Sequence, residues 1–306
     1  MPKDKTHSSF VCQECGARSV RWEGKCPSCG EWNSLIESVL TTNNQTQPWI
    51  TATSEESVEL SSIVYETSPR IVLPMPEVNR VLGGGLVNGS LLLVGGDPGI
   101  GKSTLLLQLS AAMAKIAGPV IYVSGEESHQ QIKLRADRLG IIGDRLNVMA
   151  ETNILAILDG LYQKLPSLVV IDSIQSIGFP DHPSGPGSIN QVRECGLALL
   201  RWAKTTGTPT FIAGHVTKDG NIAGPKTLEH MVDVVLYMEG ASLGSYRLLR
   251  SEKNRFGSTN EVAIFDMKDS GLSEISNPSE LALGSRTNNV VGCTVTPVIE
   301  GTRPLL

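Results

Sequence analysis

One short loop constrains this chain more than any other feature, because it fits the pattern G-x-x-x-x-G-K-[ST]. The apolar residues 91–94 predict a strand before it, and residues 102–117 have the apolar spacing of a helix after it. Between such a strand and helix, backbone N–H groups and the helix N-terminus converge on one anion. The sequence therefore predicts a phosphate-binding loop consisting of Gly96, Asp97, Pro98, Gly99, Ile100, Gly101, Lys102 and Ser103, followed by Thr104.

The last residues of the loop indicate which phosphate compound it binds. Lys102 is expected to reach the β- and γ-phosphates of ATP, and the Ser103 hydroxyl to ligate Mg²⁺. Asp172 follows the apolar run 168–171, where a P-loop protein places its second Mg²⁺-holding group. The predicted ligands are therefore ATP and Mg²⁺.

Two glutamates, Glu126 and Glu127, follow the predicted strand 120–124. Either could orient the water that attacks ATP, because a doubly wound sheet delivers functional residues at the carboxyl ends of its strands. One of the pair could instead favour the N-terminus of the next helix. We expect Glu126 to be the catalytic residue.

Apolar runs and helical patterns alternate through the larger part of the chain, which predicts an α/β fold. The expected core is that of a RecA-like P-loop ATPase: a mostly parallel twisted sheet with helices on both faces and antiparallel strands at one edge. The predicted strands are residues 91–94, 120–123, 168–171, 210–213, 234–238, 246–249 and 262–265, and the predicted helices are residues 102–117, 128–139, 154–165 and 189–204.

Composition divides the 306 residues into zones. Residues 1–38 are expected to form a zinc-binding module, 39–62 a polar linker, 63–275 the ATPase domain, and 276–306 a linker with the start of a further domain. No apolar run reaches bilayer length, and residues 1–9 lack the apolar middle of a signal peptide, so a cytoplasmic protein without membrane contact is expected. The net charge of −5 does not exclude a local basic groove for nucleic acid.

Two Cys-x-x-Cys pairs separated by ten residues predict a tetrahedral metal site in the first zone. The predicted ligands are Cys12, Cys15, Cys26 and Cys29. Four thiolates leave no position for substrate, so the role is structural, with Trp22 and Trp32 expected to cover the metal core. Redox thiols or disulfides are the weaker alternatives, and the spacing does not separate zinc from iron.

Several segments together resemble the bacterial RadA (Sms) family of DNA repair proteins. They are the cysteine-rich residues 12–37, the glycine-rich residues 80–86, the phosphate loop, and the pentapeptide Lys-Asn-Arg-Phe-Gly at 253–257. The resemblance implies a DNA-dependent ATPase that processes recombination intermediates and promotes branch migration as a helicase-like hexameric ring. It also implies single-stranded and branched DNA and the RecA recombinase as partners, and a Lon protease-like domain of which this chain contains the first strands.

The resemblance further implies roles for basic residues. Lys253 and Arg255 are expected to act in ring-level catalysis or DNA contact, although a solvated basic face is the alternative. The loops 179–188 and 218–226 lie where RecA-like proteins contact DNA, which suggests Lys218 and Lys226 as DNA ligands and His215 as a sensor of nucleotide state. Ordinary surface loops are the alternative for each.

Two other functions remain open from the sequence. One is a nucleotide-gated switch of DNA binding or assembly with little productive turnover. The other is a signalling ATPase or autokinase of the KaiC kind, which the cysteine module and residues 253–257 disfavour. Turnover stimulated by DNA would separate the expected motor from both.

Overall fold

The computed structural model describes residues 8–12, 18–19, 21–39, 57–62, 70–214, 225–240, 246–277, 279, 298–300 and 303–305. The chain divides into two compact units, Met1–Pro69 and Arg70–Leu306. The finer boundaries predicted at residues 38, 62 and 275 stay predictions.

The smaller unit contains a three-stranded antiparallel sheet in the order β2-β1-β3. Its strands are β1 (Ser8–Cys12), β2 (Arg18–Ser19) and β3 (Leu35–Val39). Cys12, Cys26 and Leu35 are buried together, and Phe10 packs against them. This core buries too little apolar surface to stabilise the unit by itself, which is consistent with a unit that a bound metal stabilises.

The expectation that Trp22 and Trp32 cover the metal core is wrong. Their exposed fractions are 57% and 70%. The ammonium of Lys25 lies 5.7 Å from the centre of the Trp32 ring, so this ring carries a cation on its face. Cys12, Cys26 and Leu35 fill the small interior, and the indole rings lie at the surface.

The larger unit is built on a nine-stranded sheet in the order β12-β11-β10-β9-β4-β8-β7-β5-β6. The strands are β4 (Leu91–Gly96), β5 (Val120–Ser124), β6 (Leu146–Ala150), β7 (Leu168–Asp172), β8 (Thr210–Ala213), β9 (Val234–Gly240), β10 (Tyr246–Asn254), β11 (Val262–Lys268) and β12 (Gly271–Glu274). The helices are α1 (Pro76–Leu82), α2 (Lys102–Ile116), α3 (His129–Arg138), α4 (Ile154–Lys164), α5 (Ile189–Thr206) and α6 (Pro225–Glu229). A separate hairpin joins β13 (Val298–Glu300) to β14 (Arg303–Leu305).

The strands from β9 to β6 run parallel, whereas β10, β11 and β12 are antiparallel. The predicted antiparallel edge is therefore confirmed, as is the α/β fold. The structure adds β6, β12 and α1, which the sequence patterns did not predict. None of the helices in the described ranges has the length and apolar character needed to cross a membrane.

The central strands β4, β5, β7 and β8 are buried on both faces, and alternate residues enter different cores. Leu92 and Val94 of β4 belong to the core that includes residues of α1, α2 and α3, whereas Leu91 and Leu93 belong to the core that includes residues of α4 and α5. The sheet is thereby fixed between two helical layers. Its carboxyl edge, where β4, β5 and β7 end, is consequently a rigid platform for a site.

Candidate nucleotide site and metal cluster

The predicted phosphate loop connects the end of β4 to the start of α2. Gly96 and Gly101 have φ angles of 144° and 119°, which side chains rarely adopt. A Cβ on Gly96 would lie 2.4 Å from the Met238 carbonyl oxygen, and one on Gly101 would lie 2.6 Å from Met267 Cε. No side chain caps α2 at Gly101, so the first N–H groups of the helix face the loop without a protein cap. This geometry suits an anion.

Lys102 lies inside the curve of the loop. Its Nζ donates hydrogen bonds to the carbonyl oxygens of Gly96 at 2.8 Å and Asp97 at 3.0 Å, and the residue is 3% exposed. Burial lowers the pKa of Lys102, and the nearby carboxylates of Asp172, Asp97 and Glu126 partly oppose this shift. The lysine predicted to bind phosphate therefore lies close enough to Asp172 and Glu126, the two predicted acidic residues, to feel their charges.

Asp172 ends β7, next to β5 in the sheet. The hydroxyl of Tyr122, on β5, donates a hydrogen bond of 2.5 Å to Asp172 Oδ2. Burial, followed by the charge of Asp172, raises the pKa of Tyr122 well above its usual value. Tyr122 therefore stays protonated and remains a donor that fixes the orientation of the carboxylate.

The structure separates the roles of the two glutamates. Glu127 accepts a hydrogen bond from the guanidinium of Arg135 on α3, and its own N–H donates to Ser124 Oγ at 3.0 Å. Glu126 is exposed and accepts a hydrogen bond of 2.5 Å from Ser173 Oγ, directly after Asp172. Glu127 is thus held in an ion pair with the following helix, whereas Glu126 lies beside the end of β7.

Ser103 and Thr104 occupy the first turn of α2 and are partly buried. The Ser103 hydroxyl and the Asp172 carboxylate are hard oxygen donors of the kind that Mg²⁺ prefers, so the donor set fits the predicted ion.

A cavity of about 200 Å³ opens beside Thr104. Leu139 and Met267 provide apolar walls, and Arg138 and Asp269 provide polar ones. Gln108 of α2 joins this helix to β12 next to the cavity, because its side chain donates to the Leu272 carbonyl at 3.1 Å and accepts from the Leu272 N–H at 3.0 Å. The cavity adjoins the loop through Met267, which lies beside Gly101.

Lys253 and Arg255 lie at the opposite edge of the sheet from the phosphate loop. Arg255 Nη1 is 3.4 Å from Asp233 Oδ1, and the Asp233 carboxylate accepts from the N–H of Leu91, the first residue of β4, at 3.0 Å. The loop begins at Gly96, where the six-residue strand β4 ends, so about 17 Å separates the two edges at roughly 3.3 Å per residue. The structure does not bring these two cations to Lys102 of the same chain.

The two cations also differ in their surroundings. Lys253 Nζ donates to the carbonyl oxygens of Glu229 at 2.7 Å and Val232 at 2.8 Å, with His230 at 3.4 Å. Burial lowers the pKa of Lys253, and the neighbouring charge of Arg255 lowers it further. Arg255 has a 54% exposed side chain. Lys253 therefore stabilises the chain just after α6, and Arg255 is available at the surface.

The predicted DNA-contacting residues are only partly within the described chain. Lys218 and His215 lie outside the described residues, and Lys226 belongs to α6 with no description of its side chain. The loop 179–188 is described and is fastened by the buried Gln191 of α5. Its amide accepts from the Phe179 N–H at 2.9 Å and donates to the carbonyls of Phe179 at 3.1 Å and Ser184 at 2.9 Å.

The cysteine cluster has the geometry of a metal site. The sulfur atoms of Cys12, Cys26 and Cys29 all lie within 4.8 Å of one another, and those of Cys12 and Cys29 are 3.6 Å apart. Tetrahedral Zn–S bonds of about 2.3 Å require sulfur separations of about 3.8 Å. The three thiols fit that requirement, and Cys15, the fourth predicted ligand, lies outside the described residues.

Sequence reasoning missed Tyr122 and Ser173 as parts of the nucleotide site. A polar hydroxyl in the otherwise apolar run of β5 was a signal, because such a group needs a partner when buried. That partner, Asp172, belongs to another strand.

Comparisons with known proteins agree with this architecture. Residues 55–221 match a family described as an AAA domain, and residues 10–37 match one described as a rubredoxin metal binding domain. A KaiC-like protein, PH0186, from Pyrococcus horikoshii has a similar fold, with a TM-score of 0.55 and 20% identity over 68% of this chain and 99% of that chain.

The chain is also similar to curated proteins along its whole length. It is 53% identical to the DNA repair protein RadA of Halalkalibacterium halodurans over 100% of the chain, and 51% identical to that of Bacillus subtilis over 99%. The chain spans 67% of the length of each of these relatives. This chain therefore belongs to the RadA family, and its larger unit carries a RecA-like ATPase domain.

Proposed function

We propose that this protein hydrolyses ATP at the loop 96–103 and uses the turnover to act on DNA during recombinational repair. One observation carries the proposal: Lys102 lies inside the loop after β4, Asp172 ends β7, and Glu126, which follows β5, is hydrogen-bonded to Ser173 directly after Asp172, so the three groups share the carboxyl edge of the sheet. A buried lysine, a Mg²⁺-holding carboxylate and an exposed carboxylate are the groups that phosphoryl transfer to water requires.

Each residue has a distinct role in this mechanism. Lys102 exchanges the carbonyl oxygens of the loop for the β- and γ-phosphates. Ser103 and Asp172 would hold Mg²⁺, which would supply positive charge next to the phosphates. Glu126 orients the water that attacks the γ-phosphorus and receives its proton, while the bond to the β–γ bridging oxygen breaks. ADP and inorganic phosphate are the products.

The cavity beside Thr104 is the place we assign to the base and ribose. Thr104 lies in the first turn of α2, directly after the loop that would hold the phosphates, and it lines this cavity. Met267 and Leu139 offer apolar surfaces to a planar base, and Arg138 and Asp269 offer polar groups to the ribose or the edge of the base.

The DNA-related part of the proposal rests on the family. The relatives are DNA repair proteins by name. We infer single-stranded and branched DNA as partners of this chain, with RecA recombinase as a protein partner and a hexameric ring as the active form that promotes branch migration. Lys218 and Lys226 are the proposed DNA ligands, together with the loop 179–188.

The position of residues 253–257 suggests how a ring would contribute to catalysis. Arg255 is exposed and lies across the sheet from the phosphate loop of its own chain. In a head-to-tail ring the corresponding edge of one subunit can face the nucleotide of the next, so Arg255 would stabilise phosphate charge in trans. Lys253, bound to three carbonyls, would support the segment after α6.

The cysteine cluster completes the proposal. Cys12, Cys15, Cys26 and Cys29 would hold Zn²⁺ in a closed shell of four thiolates, which gives the small unit its core without taking part in catalysis.

The test is steady-state ATP hydrolysis with and without single-stranded or branched DNA. We expect DNA to raise turnover in the unmodified protein, and Lys102→Ala to abolish it. Lys115→Ala is the matched control, because this exposed lysine lies in the last turn of the same helix. It should leave turnover unchanged.

Two results would contradict the proposal in different ways. ATP hydrolysis that DNA does not stimulate would contradict the proposed DNA motor and favour a signalling ATPase. ATP binding that alters DNA affinity without turnover would favour the nucleotide-gated switch, and Glu126→Gln would then leave that response unchanged.

A further inference from the structure

The segments that follow β5 and β7 are joined at several points. The Gly125 N–H donates to the Asp172 carbonyl at 3.0 Å, and Ser173 Oγ donates to Glu126 Oε1 at 2.5 Å. Ser176 Oγ donates to the Ser173 carbonyl at 2.7 Å, and it lies 2.0 Å from where a Cβ on Gly125 would be. The backbone on either side of Glu126 is thus held against the end of β7.

Ser173, which follows the last residue of β7, is fully buried. It is 0% exposed, whereas Glu126, the residue it contacts, is exposed. A buried hydroxyl has few partners to choose from, because water cannot replace a lost hydrogen bond. The Glu126 side chain is flexible by itself, so the buried donor restricts where its carboxylate lies.

We propose that Ser173 is a positioning residue that holds the Glu126 carboxylate for attack by water on ATP. The inference rests on the proposed function, in which Glu126 orients that water. Ser173 follows the Mg²⁺-holding Asp172 directly, so one short segment places both acidic groups. A change in the Ser173 hydroxyl affects the water-orienting group while the phosphate loop keeps its contacts.

The position of Glu126 matters because orientation has a large effect on rate. A misplacement of about 1 Å can slow an enzyme by about 10²-fold. Ser173→Ala is therefore expected to lower kcat by between about tenfold and about 10²-fold. The dissociation constant for ATP should stay within about twofold, because Lys102 and the loop amides remain in place.

The experiment measures kcat without DNA, ATP affinity and thermal unfolding for Ser173→Ala, Glu126→Gln and the double variant. Groups that act as a unit are not additive, so Ser173→Ala should cause little further loss in the Glu126→Gln background. Ser110→Ala is the matched control. This serine is also 0% exposed, and its hydroxyl bonds the Leu106 carbonyl within α2. Ser110→Ala should lower thermal stability about as much as Ser173→Ala does, but it should leave kcat unchanged.

A second variant keeps the inference testable if the alanine protein does not fold. Ser173→Cys preserves the size of the side chain but replaces the hydroxyl with a weak donor, so it should fold and still lose turnover. Unchanged kcat in the folded Ala or Cys variant, or a full additional loss in the Glu126→Gln background, would refute the role of Ser173. Turnover that DNA does not stimulate would refute the proposed motor, while the DNA-free comparison of variants would still decide the role of Ser173.

Discussion

The placement of Arg255 predicts that two inactive proteins can restore each other. Arg255 lies about 17 Å, the length of β4, from the phosphate loop of its own chain, which is further than an arginine side chain reaches. If Arg255 serves the neighbouring subunit, one active site combines the loop of one chain with the arginine of the next. Lys102→Ala removes the loop's lysine, and Arg255→Ala removes the arginine.

The magnitude follows from the composition of a mixed ring. Each variant alone should be inactive, because the loss of a trans-acting arginine costs about 10³-fold or more. In a random equal mixture, about one quarter of the head-to-tail interfaces combine an intact loop with an intact Arg255. Mixing should therefore restore ATP hydrolysis to as much as about one quarter of the unmodified rate, provided that the sites turn over independently.

The assay is DNA-stimulated ATP hydrolysis after the two variants are mixed and allowed to exchange subunits. Arg250→Ala, on the strand that precedes Arg255, is the matched control, because its guanidinium pairs with Glu239 instead. Arg250→Ala alone should keep DNA-stimulated turnover, whereas Arg255→Ala alone should lose it. A mixture of the two principal variants that is no more active than its parts, or an Arg255→Ala protein with full turnover, would refute the trans arrangement.

Three further changes test other contacts. Tyr122→Phe keeps the buried ring but removes the donor to Asp172, so the Mg²⁺ concentration for half-maximal turnover should rise about tenfold, as for loss of a partner that orients a metal ligand. Gln191→Ala should speed amide exchange in the loop 179–188 and cost about 1–3 kcal/mol in unfolding free energy, because buried backbone groups lose their partners. Lys102→Met should abolish ATP binding yet raise stability at pH 7 by about 1 kcal/mol. Burial lowers the pKa of Lys102, so its charged form is disfavoured in the folded state, and the gain measured by thermal unfolding should shrink as pH rises towards 10.5.

Sequence patterns could predict a phosphate loop and its acidic residues because such predictions depend on local order. A strand followed by a glycine-rich loop, or by an acidic residue, marks a carboxyl edge whatever the rest of the sheet does. Tyr122 and Ser173 could not be assigned in this way. Their roles depend on the pairing of β5 with β7, which sets Ser124 opposite Asp172, and pairing between distant strands is not a local property.

The other differences between the sequence predictions and the structure have local causes. The strand β6 lies at the sheet edge with largely half-exposed residues, and Asn147 interrupts its apolar run, so it lacks the pattern of a buried strand. The helix α1 has proline at its start and Gly83 in the left-handed region at its end, but its seven residues are too few to show helical periodicity. The basic character of Lys253 indicated an anionic partner, whereas backbone carbonyls bind it.

The strand β10 connects two places that are important for different reasons. Near its first residue, Arg247 Nε donates to the Ile100 carbonyl in the phosphate loop at 3.0 Å. Near its last residue, Lys253 holds the segment after α6, and Arg255 follows at the exposed edge. The nine residues of β10 extend over about 30 Å, and the strand pairs with β9 along its length, with one register shift between Ser251 and Lys253. A displacement of the loop at Ile100 would therefore act on the beginning of β10, and Arg255 directly follows the end of this strand. In a ring, β10 would link the nucleotide of each subunit to the arginine that the same subunit presents to its neighbour.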